Sequence, residues 1–197
     1  LKLLLLILFS MTKREQKIMN EQINSPLNNK NEIKSDAISL HSINYVGKIN
    51  FRVNETNINL RNKINDFLGY ELPSNNKVSG DNKTRTLWLG PNEYLILCGD
   101  NEKYSIINDL RSSLGSDFFA ITDVSDYYLT MRLSGQNAID VLSKSCSLDF
   151  KRSVSEKDTC AQTYINKATV LIDRLSDENI FDISVRWSFA EYLWDWL

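Results

Sequence analysis

This chain has little of the histidine, cysteine and glycine from which many catalytic, metal and cofactor sites are assembled. It carries one histidine, His41, in 197 residues. A zinc site built on histidines is thereby excluded, and so is a Ser-His-Asp triad unless His41 is recruited to it. The three cysteines, Cys98, Cys146 and Cys160, are odd in number, widely spaced and form no CxxC pair. They read as packed thiols of a reducing compartment, here the cytoplasm, and not as a disulfide framework. Glycine is scarce at seven, and no glycine falls in a GxGxxG or P-loop pattern. Ser134-Gly135 and Gly90-Pro91 read as turns and not as phosphate cradles. The part expected to fold has no long basic run, and the net charge is -2. That argues against nucleic acid as the main partner, because phosphate binding needs clustered Lys and Arg.

The apolar run Leu3 to Phe9, preceded by Lys2, is too short for a transmembrane helix. It resembles a signal-peptide core, but no small-x-small cleavage site follows. Met11 and Met19 lie just beyond it, so translation is expected to start at one of them, with residues 1–10 an upstream mis-call. Residues 11–43 are rich in Asn, Lys, Glu, Ile and Ser without sustained periodicity, as in a flexible solvated arm. Residues 1–43 are therefore set apart, and 44–197 are expected to form a single domain.

Within that domain the pattern repeats once. Ile49, Phe51 and Val53 alternate as a half-buried strand does. Leu60, Ile64, Phe67 and Leu68 have helical spacing, and Gly69 stands where it can close that helix. Strands at Thr86–Leu89 and Tyr94–Cys98 flank the turn Gly90-Pro91-Asn92-Glu93. Ile106, Ile107, Leu110 and Leu114 mark a second helix ending at Gly115. The second half follows the same order. Leu129, Met131 and Leu133 mark a strand, and Ala138, Val141 and Leu142 a helix. Strands follow at Ala161–Ile165, around Val170 and Ile172, and at Phe181, Ile183 and Val185. A turn at Ser176-Asp177-Glu178-Asn179 joins the last two. The fold class is α+β, a pseudo-duplicated strands-helix-strands-helix unit.

The segment Arg186 to Leu197 completes the second copy as an amphipathic helix. Ser188 is placed for an N-cap and Glu191 for the other half of a capping box. Phe189, Tyr192, Leu193, Trp196 and Leu197 share one face. Such a face must dock, on its own domain or on a partner. Trp187, Phe189, Tyr192, Trp194 and Trp196 are the candidate partner interface, since aromatics are favoured at buried interfaces.

The order of several short blocks carries a family resemblance. They are Leu87-Trp88-Leu89-Gly90-Pro91-Asn92-Glu93-Tyr94-Leu95, Thr122-Asp123-Val124-Ser125-Asp126, Met131-Arg132-Leu133-Ser134-Gly135, Val141 to Asp149, Cys160-Ala161-Gln162-Thr163 and the aromatic ending. Over roughly residues 84–197 the chain resembles the gamma subunit of heterotetrameric sarcosine oxidase. The resemblance implies a fold similar to the folate-binding domain of aminomethyltransferase. It implies membership of an oxidoreductase that demethylates sarcosine to glycine in sarcosine catabolism and one-carbon metabolism. Hydrogen peroxide is released, and the one-carbon unit passes to tetrahydrofolate or leaves as formaldehyde. It implies alpha, beta and delta subunits as partners, with FAD, FMN, NAD, zinc and tetrahydrofolate on those subunits and no cofactor on this chain. The readings beside it are an oxidase for another N-methylated amine and a stand-alone folate-dependent aminomethyltransferase-like protein.

Candidate chemistry is thin. The resemblance places Asp149 where the aminomethyltransferase family has an Asp in an Asn-Asp-Val context over the folate amine. Here Leu148 precedes it, so Asp149 is expected to cap or salt-bridge a loop. It stands as the weak catalytic candidate, and otherwise no catalytic, cofactor-binding or metal residue is assigned. Asp123 and Asp126 could serve as an acid–base pair or as the Asx turn of a strand entry, and the turn is favoured. Cys146 and Cys160, with Lys144 nearby, are expected to pack. Lys144-Ser145-Cys146-Ser147 matches only the start of the Lys-Gly-Cys-Tyr-x-Gly-Gln-Glu signature of a folate-linked iron–sulfur maintenance protein.

Overall fold

The structure, a computed structural model, describes residues 25–43, 46–54, 56–81 and 83–197. The apolar start and both candidate initiator methionines lie outside the described residues. The chain divides into two units, Leu1–Lys30 and Asn31–Leu197. What is described of the first is a turn, in which the Asn28 N–H donates to the Ser25 carbonyl and the Lys30 N–H to the Leu27 carbonyl.

The second unit holds two antiparallel sheets. The five-stranded sheet has the order β4 (Val78–Gly80), β5 (Arg85–Gly90), β6 (Glu93–Gly99), β3 (Val46–Val53), β7 (Phe119–Asp123). The six-stranded sheet has the order β1 (Ile33–Lys34), β2 (Ser39–Ile43), β8 (Tyr128–Ser134), β11 (Ile180–Arg186), β10 (Ala168–Ser176), β9 (Thr159–Ile165). The alternation in β3 sends Ile49, Phe51 and Val53 into a core with Tyr94, Ile96 and Ile121. Over that core lie α1 (Ile58–Leu68) and α2 (Lys103–Leu114), which bury Leu60, Ile64 and Leu68, and Ile107, Leu110 and Leu114. Each such side chain contributes about 1.5–3 kcal/mol on burial.

Asn57 caps α1 through its side chain, accepting the Leu60 N–H at 3.2 Å. Gly69 closes the helix at φ 79°, where a side chain would be strained, and its N–H donates to the Asn65 carbonyl. On the six-stranded sheet α3 (Ala138–Ser143), α4 (Phe150–Ser153) and α5 (Ala190–Trp196) provide the helices. Phe150 of α4 meets Phe181 of β11 edge-to-face with centroids 6.4 Å apart.

The duplication is visible in the sheet orders. β4-β5-β6-β3-β7 and β9-β10-β11-β8-β2 are the same arrangement read twice. The last strand of each is exchanged. β2 precedes β3 in sequence but pairs with β8, and β7 precedes β8 but pairs with β3. A short 3-10 turn also leads into the last helix of each copy, Asp100–Glu102 before α2 and Trp187–Phe189 before α5.

Two expectations change here. The polar stretch read as an arm up to residue 43 contributes β1 and β2. β2 supplies Leu40, 1% exposed, and pairs along β8 from Ser39 to Ile43. Its remaining side chains are half-buried, which hides the alternation that would have marked a strand. Gly135 makes the docking possible: at φ 119° it lies so close to the Ala37 carbonyl that an added Cβ would sit 2.2 Å away.

The capping box of the last helix does not form. Ser188 lies within the 3-10 turn, and α5 starts at Ala190 without a side-chain cap. The buried face is Ala190, Leu193 and Trp194, turned by about 100°, one residue, from the expected stripe. Among the described residues no helix is long and apolar enough to cross a membrane.

Candidate functional site

The inner faces of the two sheets meet on a layer that is partly apolar and partly charged. Its apolar part is Val78, Leu87, Leu95, Cys160 and Leu171. Its charged part follows from the register. His41, Arg132, Asp182, Asp173 and Cys160 are direct neighbours across β2, β8, β11, β10 and β9, so they form one transverse row on one face. Arg85 of β5 reaches this row from the opposite sheet. Its Nε donates to Asp173 Oδ2 at 2.7 Å, its Nη2 to Asp173 Oδ1 at 2.8 Å and its Nη1 to Asp158 at 2.7 Å.

Burial opposes the Arg85 charge, but its hydrogen bonds to Asp173 and Asp158 outweigh that and hold it cationic. Burial is also the largest influence on Asp173 and pushes its carboxyl up against the pull of Arg85. Arg132 and Asp182 make a second bidentate pair, at 2.7 and 2.9 Å.

Lys48 of β3 occupies the same layer at 3% exposure, and its Nζ donates to the Tyr128 carbonyl at 3.2 Å. Burial pulls the Lys48 amine down to about 8, against Asp100, Asp126 and Asp182, which pull it up. Sequence reasoning missed the charged part of this layer. Lys48, Asn50 and Arg52 alternate with Ile49, Phe51 and Val53, and a polar face in such a pattern reads as solvent-facing. Only the pairing of two sheets shows that Lys48 is enclosed. Chemically, Arg85 joins the sheets through Asp173 and Asp158, the Arg132–Asp182 pair links two strands of one sheet, and His41 Nδ1 at the end of the row is buried without a hydrogen-bond partner.

The residues singled out from sequence are dispersed. Asp149 N-caps α4, its carboxylate accepting the Lys151 N–H at 3.0 Å, and it lies 3.7 Å from Arg152. Asp123 makes the expected turn: it accepts from the Ser125 N–H at 3.0 Å and the Ser125 hydroxyl at 2.6 Å. Burial opposes its charge, but these bonds and Lys103 outweigh it and hold the carboxyl below its ordinary range.

Cys98, Cys146 and Cys160 are free and buried. Burial pushes the Cys160 thiol up to about 12 and Cys98 up to about 11, which leaves both poor nucleophiles. Among the described residues no cluster of three His, Cys, Asp or Glu could hold a metal ion.

Of the aromatic candidates, Trp194 is 5% exposed and belongs to the chain's own core, so it offers no area to a partner. Trp187 and Tyr192 are half-buried. Phe189 and Trp196 remain exposed at 37% and 48%, and Phe189 meets Tyr192 edge-to-face at 6.2 Å.

Comparisons with known proteins bear on this arrangement of scattered groups and exposed aromatics. The sarcosine oxidase gamma subunit family profile matches residues 53–197. The sarcosine oxidase subunit gamma of Corynebacterium sp. strain U-96 is 30% identical over 122 residues, 61% of this chain and 58% of that protein. The subunit gamma of an Arthrobacter species is 29% identical over 132 residues, 66% of this chain and 64% of that protein. The chain thus spans less than two thirds of the length of these curated relatives.

A chain of the heterotetrameric sarcosine oxidase of Corynebacterium sp. U-96 superposes with a TM-score of 0.75 at 26% identity, covering 84% of both chains. The aminomethyltransferase T of the glycine cleavage system of Bartonella henselae superposes with a TM-score of 0.59 at 14% identity, over 81% of this chain and 45% of that one. The second likeness is one of fold and agrees with the expected architecture. Matched by the family profile from residue 53 to residue 197, this chain belongs to the sarcosine oxidase gamma subunit family.

Proposed function

We propose that this chain is the gamma-type subunit of a heterotetrameric, tetrahydrofolate-linked sarcosine oxidase in the cytoplasm, and that it serves assembly and not catalysis. In this reading it packs against the large alpha subunit and supports the folate-transfer region. FAD, FMN, NAD, zinc and tetrahydrofolate sit on the other subunits. The observation that carries the reading is the likeness, at a TM-score of 0.75 over 84% of the chain, to a chain of a heterotetrameric sarcosine oxidase.

The electrostatics support the non-catalytic part. Catalysis needs acid, base or nucleophile aimed at a common centre. Here Asp149 is spent on a helix cap, Asp123 on a turn, and Asp173 and Asp182 on guanidinium pairs. The chain expressed alone is expected to give no sarcosine-dependent peroxide. In the assembled complex Asp149→Asn is expected to keep turnover within a few-fold of wild type. Peroxide from the isolated chain would refute the reading. A loss of roughly a hundredfold in turnover with assembly intact, the scale of acid–base catalysis, would make Asp149 catalytic.

A further inference from the structure

The two copies of the repeat give an internal comparison of the same helix in two settings. Aligned at their 3-10 turns, Asp100–Glu102 with Trp187–Phe189, the helices α2 and α5 match position by position. Ala190 and Trp194, both buried, fall on Lys103 and Ile107, also buried, and Leu193 falls on the partly buried Ile106. The inward faces therefore correspond. The outward faces do not.

Phe189, Tyr192 and Trp196 fall on Glu102, Ser105 and Asp109, all three exposed. In the first copy this face is dressed for water, with the Ser105 hydroxyl donating to the Asp109 carboxylate at 3.1 Å. In the second copy the same face is aromatic. The fold does not require aromatics there, since the first copy is built without them.

Two further aromatic residues lie at the start of the helix. The Trp187 N–H donates to the Tyr127 carbonyl at 3.0 Å, and Arg186 lies over the Tyr127 ring at 5.5 Å. Tyr127 is itself 44% exposed.

We infer that Phe189, Tyr192 and Trp196, extended by Trp187 and Tyr127, form the surface on which a larger subunit of the same hetero-oligomer docks, with these rings seated in an apolar groove of that subunit. The inference rests on the proposed function for the existence of that partner. A second copy of this chain is a poor occupant. The helix is seven residues long, about 10 Å. Two such stripes back to back cover on the order of a few hundred Å², against about 800 Å² per partner in a stable interface. The rings expose no more than that to any partner, so on a larger subunit they act as the anchors within a wider contact.

The test measures binding of the full chain to the purified complex of the other three subunits. Phe189→Ser/Trp196→Ser is expected to weaken binding by roughly a hundredfold or more, the range of paired aromatic anchors, with thermal melting of the chain unchanged. Tyr104→Ser on α2, at a more exposed site of the first copy, is expected to leave binding as it was. If the double variant misfolds, Trp196→Lys alone carries the same test. Unchanged binding of the folded variant would overturn the surface while leaving the subunit reading intact. Failure of the wild-type chain to bind would overturn both. A self-dimer of the wild type that the double variant abolishes would overturn the choice of occupant.

Discussion

Lys48 holds an amine between two sheets with the Tyr128 carbonyl 3.2 Å away, and burial takes it from its ordinary 10.5 down to about 8. The sign of the consequence follows from proton linkage. Below about 8 the amine is protonated in both folded and unfolded chain, and the folded state bears the cost of burying the charge. Between about 8 and 10.5 the unfolded chain binds the extra proton, so stability rises with pH across that window. Lys48→Met keeps the stem and removes the charge. It is expected to be more stable than wild type at pH 7, by on the order of 1–3 kcal/mol after loss of the hydrogen bond, and to lose that advantage as pH approaches 10. Urea midpoints for both proteins from pH 6 to 10 check this, and a constant difference would contradict it. Nothing in the neighbourhood of Lys48 in sequence marks it as buried, because alternation fixes which side chains share a face but not what covers that face. Asp149 and Asp123 were legible for the opposite reason: their hydrogen bonds run to residues two positions away.

At the scale of elements, the helices with a closing glycine were read well from sequence, since Gly69 and Gly115 mark where α1 and α2 stop. Of the strands of the first copy, β3 was legible from its alternation, and β5 and β6 from their apolar runs on either side of the turn Gly90-Pro91-Asn92-Glu93. β2 was not, because Leu40 is its only buried side chain. The last helix was legible in existence but not in rotation. Its stripe contains more large apolar residues than one face can bury, and the 3-10 turn sets which of them go inward. The choice has a direct consequence for Trp194 and Trp196. Trp194→Ala is expected to cost about 3–5 kcal/mol in the isolated chain, as for a buried aromatic. Trp196→Ala is expected to cost within about 0.5 kcal/mol, as for a surface position. Equilibrium unfolding of the two variants decides it, and equal losses would place both rings in the core.

For the whole molecule, the exchanged strands join the copies. Each sheet is completed by a strand that leads into the other, and Arg85, Asp158 and Asp173 bridge the two faces. The unit is therefore expected to unfold in one step. Far-UV circular dichroism and tryptophan fluorescence of the unaltered chain, which holds Trp88 on the five-stranded sheet and Trp194 on the helix over the other, should report one urea midpoint, and separated midpoints would show independent halves. The repeat was legible in the order of apolar blocks, but the exchange was not, because sequence order places β2 beside β3 and β7 beside β8. On the proposed function the chain meets its purpose only in a larger assembly. Native mass spectrometry of the chain co-expressed with alpha-, beta- and delta-type sarcosine oxidase subunits tests this most directly. One complex holding one copy of each chain is the expected result. A chain that stays monomeric beside an assembled complex of the other three would contradict it.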